Sequence, residues 1–229
     1  MKCRYIPLPF LACFALLPTA QTAVAVWMEW YPEITYPVMK CIMILLPLIA
    51  WKTLGRSRAE IVTEIGLRKT HLVPGIAAGL VMATLIIGFC LLTGIHTLVN
   101  PQFLTEKLQK LNVMEYYWLM AVVISLGNAL FEEYYWRGFL IGQLSGQCAN
   151  RLMVCLLGGL FFGMHHVFAT LWIGNPLLTA AAVAATITAG GFWTWLRMRG
   201  ISVIDCYVSH IIADLAIFYI GYLVLQEAL

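Results

Sequence analysis

The sequence predicts an all-α fold, a polytopic bundle of about seven transmembrane helices (six to eight) with one amphipathic helix at the membrane interface. Composition gives the first reason, since 62% of the 229 residues are hydrophobic and 11% are charged, whereas soluble domains are about a quarter charged. The second reason is pattern: the apolar residues fall into runs of about 20, the length that a helix needs to cross the hydrocarbon core. The chain is therefore expected to be an integral, multi-pass membrane protein.

The spans can be placed along the chain from these runs. We place them near 6–28, 34–51, 72–98, 116–136, 152–173, 177–196 and 202–226. The first run follows Lys2 and Arg4 and contains small residues from Ala20 to Ala25, as a cleaved signal peptide would, but its length favours an uncleaved anchor. Residues 52–71 mix apolar and charged residues at helical spacing, which predicts the interfacial helix.

The connection at 99–115 is polar, and the chain shows neither an internal repeat nor a low-complexity segment. We therefore expect one membrane-embedded domain over residues 1–229. Small residues recur four apart, as in Gly75 and Gly79 or Gly159 and Gly163, a spacing that lets helix backbones approach closely.

Basic residues are distributed unequally between the two sides of this layout. With a cytoplasmic N-terminus, the inner segments carry Lys2, Arg4, Lys52, Arg56, Arg58, Arg68, Lys69, Arg137, Arg151, Arg197 and Arg199. The outer segments carry only Lys107 and Lys110, and Lys40 falls near the start of the second span. Positive residues concentrate on the cytoplasmic side of membrane proteins, so we expect a cytoplasmic N-terminus.

Composition also limits the classes of binding partner that the sequence predicts. The basic residues form no patch interleaved with aromatic residues, so no nucleic-acid partner is predicted. The seven cysteines are scattered singly without a Cys-x-x-Cys spacing, which supports neither a zinc knuckle nor a disulfide framework. We interpret them as buried thiols that act as small apolar residues.

Three polar clusters interrupt the later spans, and they carry most of the functional information. They are Glu132 and Glu133 with Arg137; Phe162 with His165 and His166; and His210 with Asp214. Ionisable groups are expensive in the membrane and are by default a functional-site hypothesis there. Each cluster alone could be structural, as a solvated salt bridge or a polar contact between helices, but the three are chemically complementary.

Helix geometry separates the two glutamates. Glu133 and Arg137 are four residues apart in the order that favours an ion pair. Glu132 points about 100° away from Glu133, so it is left to face a cavity, where a carboxylate is suited to act as a general base on water.

The other clusters also place their members on shared helix faces. Phe162 lies four residues before His166, which favours His166 over His165 as the functional histidine. His210 and Asp214 share a face of the last span, where the carboxylate can orient the imidazole or, if protonated, donate a hydrogen bond. By depth along their spans, Glu132 and His210 lie nearer the cytoplasmic ends, and we expect the clusters to converge on one pocket.

The order Glu-Glu-x-x-x-Arg, Phe-x-x-x-His and His-x-x-x-Asp resembles that of the CAAX-protease and bacteriocin-processing family, also known as Abi. Its members are glutamate-dependent intramembrane endopeptidases. The resemblance covers about 116–226, which would carry the catalytic core, and the set of three motifs is specific although each alone is weak.

The resemblance implies roles for individual residues. Glu132 corresponds to the glutamate that activates water, and His166 to the histidine that holds or polarises this water. His210 and Asp214 correspond to the motif that stabilises the oxyanion. Asp214 is typical of bacterial members, and since an ionised carboxylate cannot donate a hydrogen bond, His210 would be the main donor. The supporting positions are Glu133, Arg137 and Phe162.

Two alternatives remain open on the sequence. Glu132, His166 and His210 form a carboxylate and two histidines, an accepted set of catalytic zinc ligands, although His-Glu-x-x-His is absent. We expect a metal-free enzyme, with zinc as the alternative. The second alternative is a non-catalytic membrane protein that binds a peptide, such as a bacteriocin-immunity factor or scaffold. A proton-coupled transporter is disfavoured because no inverted repeat is found.

The expected partners are the lipid bilayer and a protein or peptide substrate, membrane-anchored or cut near a C-terminal signal. Family members cut prenylated C-terminal motifs, bacteriocin leaders, quorum-peptide precursors or sorting signals, and the sequence does not choose among these.

Overall fold

The structure is a computed structural model that describes residues 5–171 and 173–227. Within these ranges the regular elements are all helical, and seven helices are long and apolar enough to cross a membrane. They span Leu8–Trp27, Pro32–Thr53, Val73–Thr93, Met114–Ser145, Arg151–Leu171, Pro176–Met198 and Val203–Gln226. The predicted fold class is confirmed, and every predicted span corresponds to one of these helices.

The α-helices are numbered in chain order. They are α1 Leu8–Gln21, α2 Pro32–Thr53, α3 Arg58–Ile65, α4 Val73–Thr93, α5 Pro101–Lys110, α6 Tyr117–Glu133, α7 Ile141–Ser145, α8 Arg151–Leu171, α9 Pro176–Met198 and α10 Val203–Gln226. Two π-helical segments, Thr22–Trp27 and Tyr134–Leu140, extend α1 and α6 without a break. The fourth span is therefore longer than predicted and continues through α7.

The predicted interfacial helix is present as α3 but is shorter than residues 52–71. Ser57 caps its N-terminus in a reciprocal capping box with Glu60. Gly66, with a φ of 81°, ends it, because this left-handed conformation favours glycine. The Arg197 guanidinium on α9 donates a hydrogen bond of 3.0 Å to the carbonyl oxygen of Glu64 and ties α3 to the last turn of α9.

The described chain divides into two compact units. Unit 1 comprises the residues up to Lys69 and Phe131–Val203. Its most extensive packing joins α8 to α9, and α1 with its π-helical extension packs on α8 as well. A Cβ at Gly159 would lie 2.5 Å from the carbonyl oxygen of Ile187, so α8 and α9 meet with backbones nearly in contact, as the spacing of small residues predicts.

Unit 2 comprises Thr70–Leu130 and the chain from Ile204 onward. Asp205, in the first turn of α10, is buried and accepts hydrogen bonds from the Thr70 hydroxyl at 2.7 Å and the Gly75 amide at 3.3 Å. The Tyr117 hydroxyl donates to the carbonyl oxygen of Phe218 at 2.6 Å. These bonds tie α10 to the start of α4 and to α6 within unit 2. The single-domain organisation over residues 1–229 stays a prediction.

The interpretation of the cysteines as buried thiols was wrong for most of those described. Cys206 is buried, Cys13 and Cys41 are exposed, and Cys90, Cys148 and Cys155 are intermediate; Cys3 lies outside the described residues. Many large apolar side chains are exposed too, such as Leu92 on α4 at 90%. In a membrane-spanning helix an apolar residue can face lipid as well as the core, so apolar sequence does not imply burial.

Candidate active site

The two adjacent glutamates close α6, and the chain then widens into the π-helical segment Tyr134–Leu140. π-Helical turns inside α-helices occur often at functional sites. Two tyrosines anchor this segment to the N-terminal helices: the Tyr135 hydroxyl donates to the carbonyl oxygen of Phe14 at 2.7 Å, and that of Tyr134 to the carbonyl oxygen of Ile44 at 3.1 Å. The helix that carries the carboxylates is therefore held by α1 and α2.

Glu133 and Arg137 form the predicted ion pair. The Arg137 Nη1 atom lies 3.0 Å from Glu133 Oε1, and both residues are 1% exposed. The guanidinium also lies 4.5 Å from the ring centroid of Phe162 and 5.0 Å from that of Trp193. Aromatic faces attract a desolvated cation, so Arg137 joins the π-helical segment to α8 and α9 while it balances the charge of Glu133.

Glu132 has a different neighbour, as its angular offset from Glu133 predicts. Its Oε1 atom lies 3.4 Å from Nε2 of His165, and the two residues are 4% and 5% exposed. A carboxylate beside an imidazole, both shielded from bulk solvent, can share and transfer a proton.

The neighbour of Glu132 is therefore His165, whereas the sequence favoured His166 as the functional histidine. The His165 ring is stacked beside Trp136 with centroids 5.8 Å apart. The Thr22 hydroxyl donates to the His165 carbonyl oxygen at 2.7 Å and fixes this turn of α8 against the extension of α1. The sequence held one overlooked signal: Phe161 stands four residues before His165, so the Phe-x-x-x-His spacing occurs in two overlapping registers.

His166 lies next to this pair and is half-buried. Its Nδ1 atom is 3.1 Å from the carbonyl oxygen of Phe162, and its ring centroid is 5.0 Å from that of Phe162. Because a carbonyl oxygen only accepts hydrogen bonds, Nδ1 carries the proton and Nε2 of the neutral ring keeps a lone pair. Glu132, His165 and His166 each offer a ligand atom within 4.8 Å of the others, so the three could hold a metal ion.

Lys40 was not assigned to the site from the sequence, yet it lies beside it. Its ammonium group on α2 is 5.9 Å from the ring centroid of Phe131 and 5.5 Å from that of Tyr36. Glu132 interacts electrostatically with both Lys40 and Tyr36. The sequence did contain a signal for this residue. A charged lysine within an apolar span is costly unless it has a partner, and the sequence pattern offered none for Lys40.

The third predicted pair is present on α10 in unit 2. His210 Nε2 lies 3.5 Å from Asp214 Oδ1; His210 is buried and Asp214 is partly exposed. The close packing of α4 accommodates this helix, since a Cβ at Gly79 would lie 2.9 Å from the Cβ of Ile212. The roles of this pair, and its convergence with Glu132, stay predictions.

Comparison with known protein families gives a match over the segment that carries these residues. Residues 114–216 match the sequence model of the family described as type II CAAX prenyl endopeptidase Rce1-like. Neither the curated proteins nor the solved structures gave a match. The resemblance to the CAAX-protease family inferred from the three motifs is thereby confirmed. The match indicates a CAAX-type protease, a peptide hydrolase, in a chain with seven helices suited to a membrane.

Replacing Arg137 by Ala should destabilise the protein strongly. The substitution leaves the Glu133 carboxylate in a desolvated setting without its cation, which typically costs about 3–5 kcal/mol. Thermal unfolding of the purified protein in detergent should show a large decrease in melting temperature. The double variant Arg137→Met with Glu133→Gln should recover much of the loss, because it removes both charges together. A single variant that melts like the wild type would contradict the structural role of the pair.

Proposed function

We propose that this protein is an intramembrane endopeptidase in which Glu132 acts as the general base on a water molecule that attacks a peptide carbonyl. The observation that carries the proposal is the buried carboxylate of Glu132 placed 3.4 Å from His165, with His166 adjacent. This group lies within the segment that matches the Rce1-like family.

The reaction follows from the chemistry of these groups. Glu132 takes a proton from water as the water oxygen bonds to the carbonyl carbon, which produces a tetrahedral oxyanion. An imidazole from the His165 and His166 pair orients the water; the lone pair on Nε2 of His166 can accept its second hydrogen. The proton held by Glu132 then passes to the leaving nitrogen as the carbon–nitrogen bond breaks.

His210 and Asp214 are proposed to act on the oxyanion. If Asp214 is ionised it can only accept, so the proton between the two belongs to Nε2 of His210. His210 can then donate a second hydrogen bond, from Nδ1 to the oxyanion, only as an imidazolium, which is the form that a neighbouring carboxylate favours. Asp214 would thus orient and charge the donor rather than contact the oxyanion.

A zinc-dependent version is a second candidate, because Glu132, His165 and His166 can approach one ion. The 3.4 Å between Glu132 Oε1 and His165 Nε2 fits one edge of a tetrahedron with ligands about 2.0–2.1 Å from zinc. This set contains His165 in place of the His210 expected from the sequence. If bound, zinc would act as a Lewis acid on water or on the carbonyl. We favour the metal-free enzyme because the sequence lacks His-Glu-x-x-His, the motif in which two zinc ligands come from one helix turn.

The proposed substrate is a membrane-associated peptide cut near its end. The name of the matched family points to prenylated C-terminal peptides. Bacteriocin leaders, quorum-peptide precursors and sorting signals share the same requirement for an extended, membrane-attached segment. The expected location is a bacterial inner membrane with the N-terminus in the cytoplasm, as the distribution of basic residues favours.

Glu132→Gln should abolish cleavage, since the amide cannot take a proton from water and loss of a general base costs at least about 10²–10⁴-fold in rate. The measurement is comparative mass spectrometry of membrane proteins and released peptides from cells that express wild type or variant at equal levels. Glu106→Gln, the same change at an exposed position on α5, is the control and should match wild type.

A new peptide terminus that requires Glu132 would identify the substrate together with the activity. A cellular phenotype that survives Glu132→Gln, with no cleavage product, would instead support the non-catalytic peptide-binding protein. A chelator, followed by added zinc, distinguishes the metal-free mechanism from the zinc-dependent one when it is applied to the purified wild type with the identified substrate. Only a zinc-dependent enzyme loses activity with the chelator and regains it with zinc.

Replacing the two histidines separately should show which of them takes part in catalysis. From the geometry we expect His165→Ala to lower kcat by about 100-fold or more, and at least as severely as His166→Ala, because His165 is in contact with Glu132. His71→Ala, at an exposed position, should have no effect. A mild effect of His165→Ala beside a severe effect of His166→Ala would restore the assignment made from the sequence.

Lys40 is proposed as a positioning residue that acts on the Glu132 carboxylate through its charge. Lys40→Met should lower kcat on the order of tenfold, about 1.4 kcal/mol in the barrier, with little change in KM, and Lys40→Arg should recover part of the rate. Lys52→Met, at the exposed end of the same helix, is the matched control. Equal activity of Lys40→Met and Lys52→Met would show that Lys40 has no role in the site.

A further inference from the structure

The first span, Leu8–Trp27, contacts both of the helices that carry the proposed catalytic residues of unit 1. Its α-helical part, α1, packs on α8 and on the π-helical segment Tyr134–Leu140, and its π-helical extension packs on α8 as well. All of these elements belong to unit 1. The first span lies outside the segment that matches the family, residues 114–216, so the match assigns it no role.

One of these contacts depends on a proline inside α1. Pro18 has no N–H, so the carbonyl oxygen of Phe14, four residues earlier, cannot receive the usual helical hydrogen bond at this position. The Tyr135 hydroxyl donates to this oxygen at 2.7 Å. Tyr135 is buried and stands three residues after Glu132. The carbonyl oxygen that Pro18 leaves open thus holds the chain next to the proposed general base.

The second contact is made by a threonine hydroxyl at the start of the extension. The buried Thr22 hydroxyl lies 2.7 Å from the carbonyl oxygen of His165, compared with 3.1 Å and 3.2 Å from those of Thr19 and Pro18 in its own helix. A hydroxyl has one proton to donate, and the shortest of these distances is the most favourable for a hydrogen bond. The first span therefore holds the main chain of α8 at the residue whose imidazole contacts Glu132.

The orientation of the His165 ring depends on this main-chain contact. A functional imidazole is commonly oriented by a hydrogen bond at the ring nitrogen that is turned away from its partner. Nδ1 of His165 is buried and has no hydrogen-bond partner among the residues that the structure describes. The ring is therefore placed by its packing against Trp136 and Phe162, with centroids 5.8 Å and 5.1 Å away, and by the position of its own main chain.

We propose that the first span is a positioning element that sets the distance between Glu132 and His165, with Thr22 as its main positioning residue. Phe14 and Thr22 are eight residues apart, about 12 Å along a helix axis. One helix thus holds the π-helical segment at one point and α8 at the other, and thereby fixes the 3.4 Å between Glu132 Oε1 and His165 Nε2. The inference rests on the proposed function, because it concerns the same pair of residues.

The test measures kcat, KM and melting temperature of purified full-length variants in detergent, with the peptide whose cleavage requires Glu132 as the probe. Thr22→Val keeps the shape of the side chain and removes the hydroxyl. It should lower kcat by about tenfold or more with little change in KM, because a misplacement of about 1 Å can cost about 10²-fold in rate. Thr22→Ser should recover most of the rate.

The matched control is Thr179→Val. The Thr179 hydroxyl is also buried and donates to a main-chain carbonyl oxygen of α8, that of Thr170, at 3.2 Å. The control therefore removes the same kind of bond from the same helix, about one turn beyond His165. It should leave kcat unchanged.

A double variant separates positioning from stability. When His165 is replaced by Ala, the carbonyl oxygen of residue 165 remains, so adding Thr22→Val should still lower the melting temperature. It should cause no further loss of kcat, because no imidazole is left to position, and the two effects on kcat are then not additive. Tyr135→Phe, which removes the other contact of the first span, should lower kcat in a background that retains His165.

The outcomes distinguish this inference from the proposed function. Equal kcat values for Thr22→Val and Thr179→Val would overturn the inference, as would a further loss of kcat from Thr22→Val in the His165→Ala background. The proposed function survives both results as long as Glu132→Gln is inactive. An active Glu132→Gln enzyme would overturn the proposed function and this inference together.

Discussion

The ion pair between Glu133 and Arg137 is the interaction on which the candidate site in unit 1 depends. Both residues are nearly inaccessible to solvent, and isolated charges in such a setting are unfavourable by several kcal/mol each. Each charge therefore requires the other, and the guanidinium requires the rings of Phe162 and Trp193 around it. One helix turn of sequence thereby determines how the π-helical segment, α8 and α9 meet.

This pairing also explains why two adjacent glutamates differ in their chemistry. Glu133 pairs with the guanidinium of Arg137, which cannot be deprotonated, and this pairing suits Glu133 to a structural role. Glu132 instead lies beside the imidazole of His165 and interacts electrostatically with Lys40. A carboxylate that exchanges a proton needs a titratable partner, and the imidazole of His165 is such a partner for Glu132.

The N-terminal helices contribute to the site although the family match begins at residue 114. Backbone carbonyls of α1 and α2 accept hydrogen bonds from Tyr135 and Tyr134, and Thr22 fixes the carbonyl of His165. Lys40 brings a charge from α2. Polar contacts of the candidate site thus come in part from α1 and α2, outside the segment that matches the family.

The sequence by itself determined the spans, the ion pair, the pair on α10 and the resemblance to a protease family. These features depend on the length of apolar runs and on the period of one helix, which local sequence specifies. The tertiary structure alone decided that His165 contacts Glu132 and that Lys40 lies nearby. It also decided which apolar faces turn outward. The physical reason is that helical periodicity gives the angle between two side chains of one helix, whereas the side that faces a neighbour depends on how the helices pack.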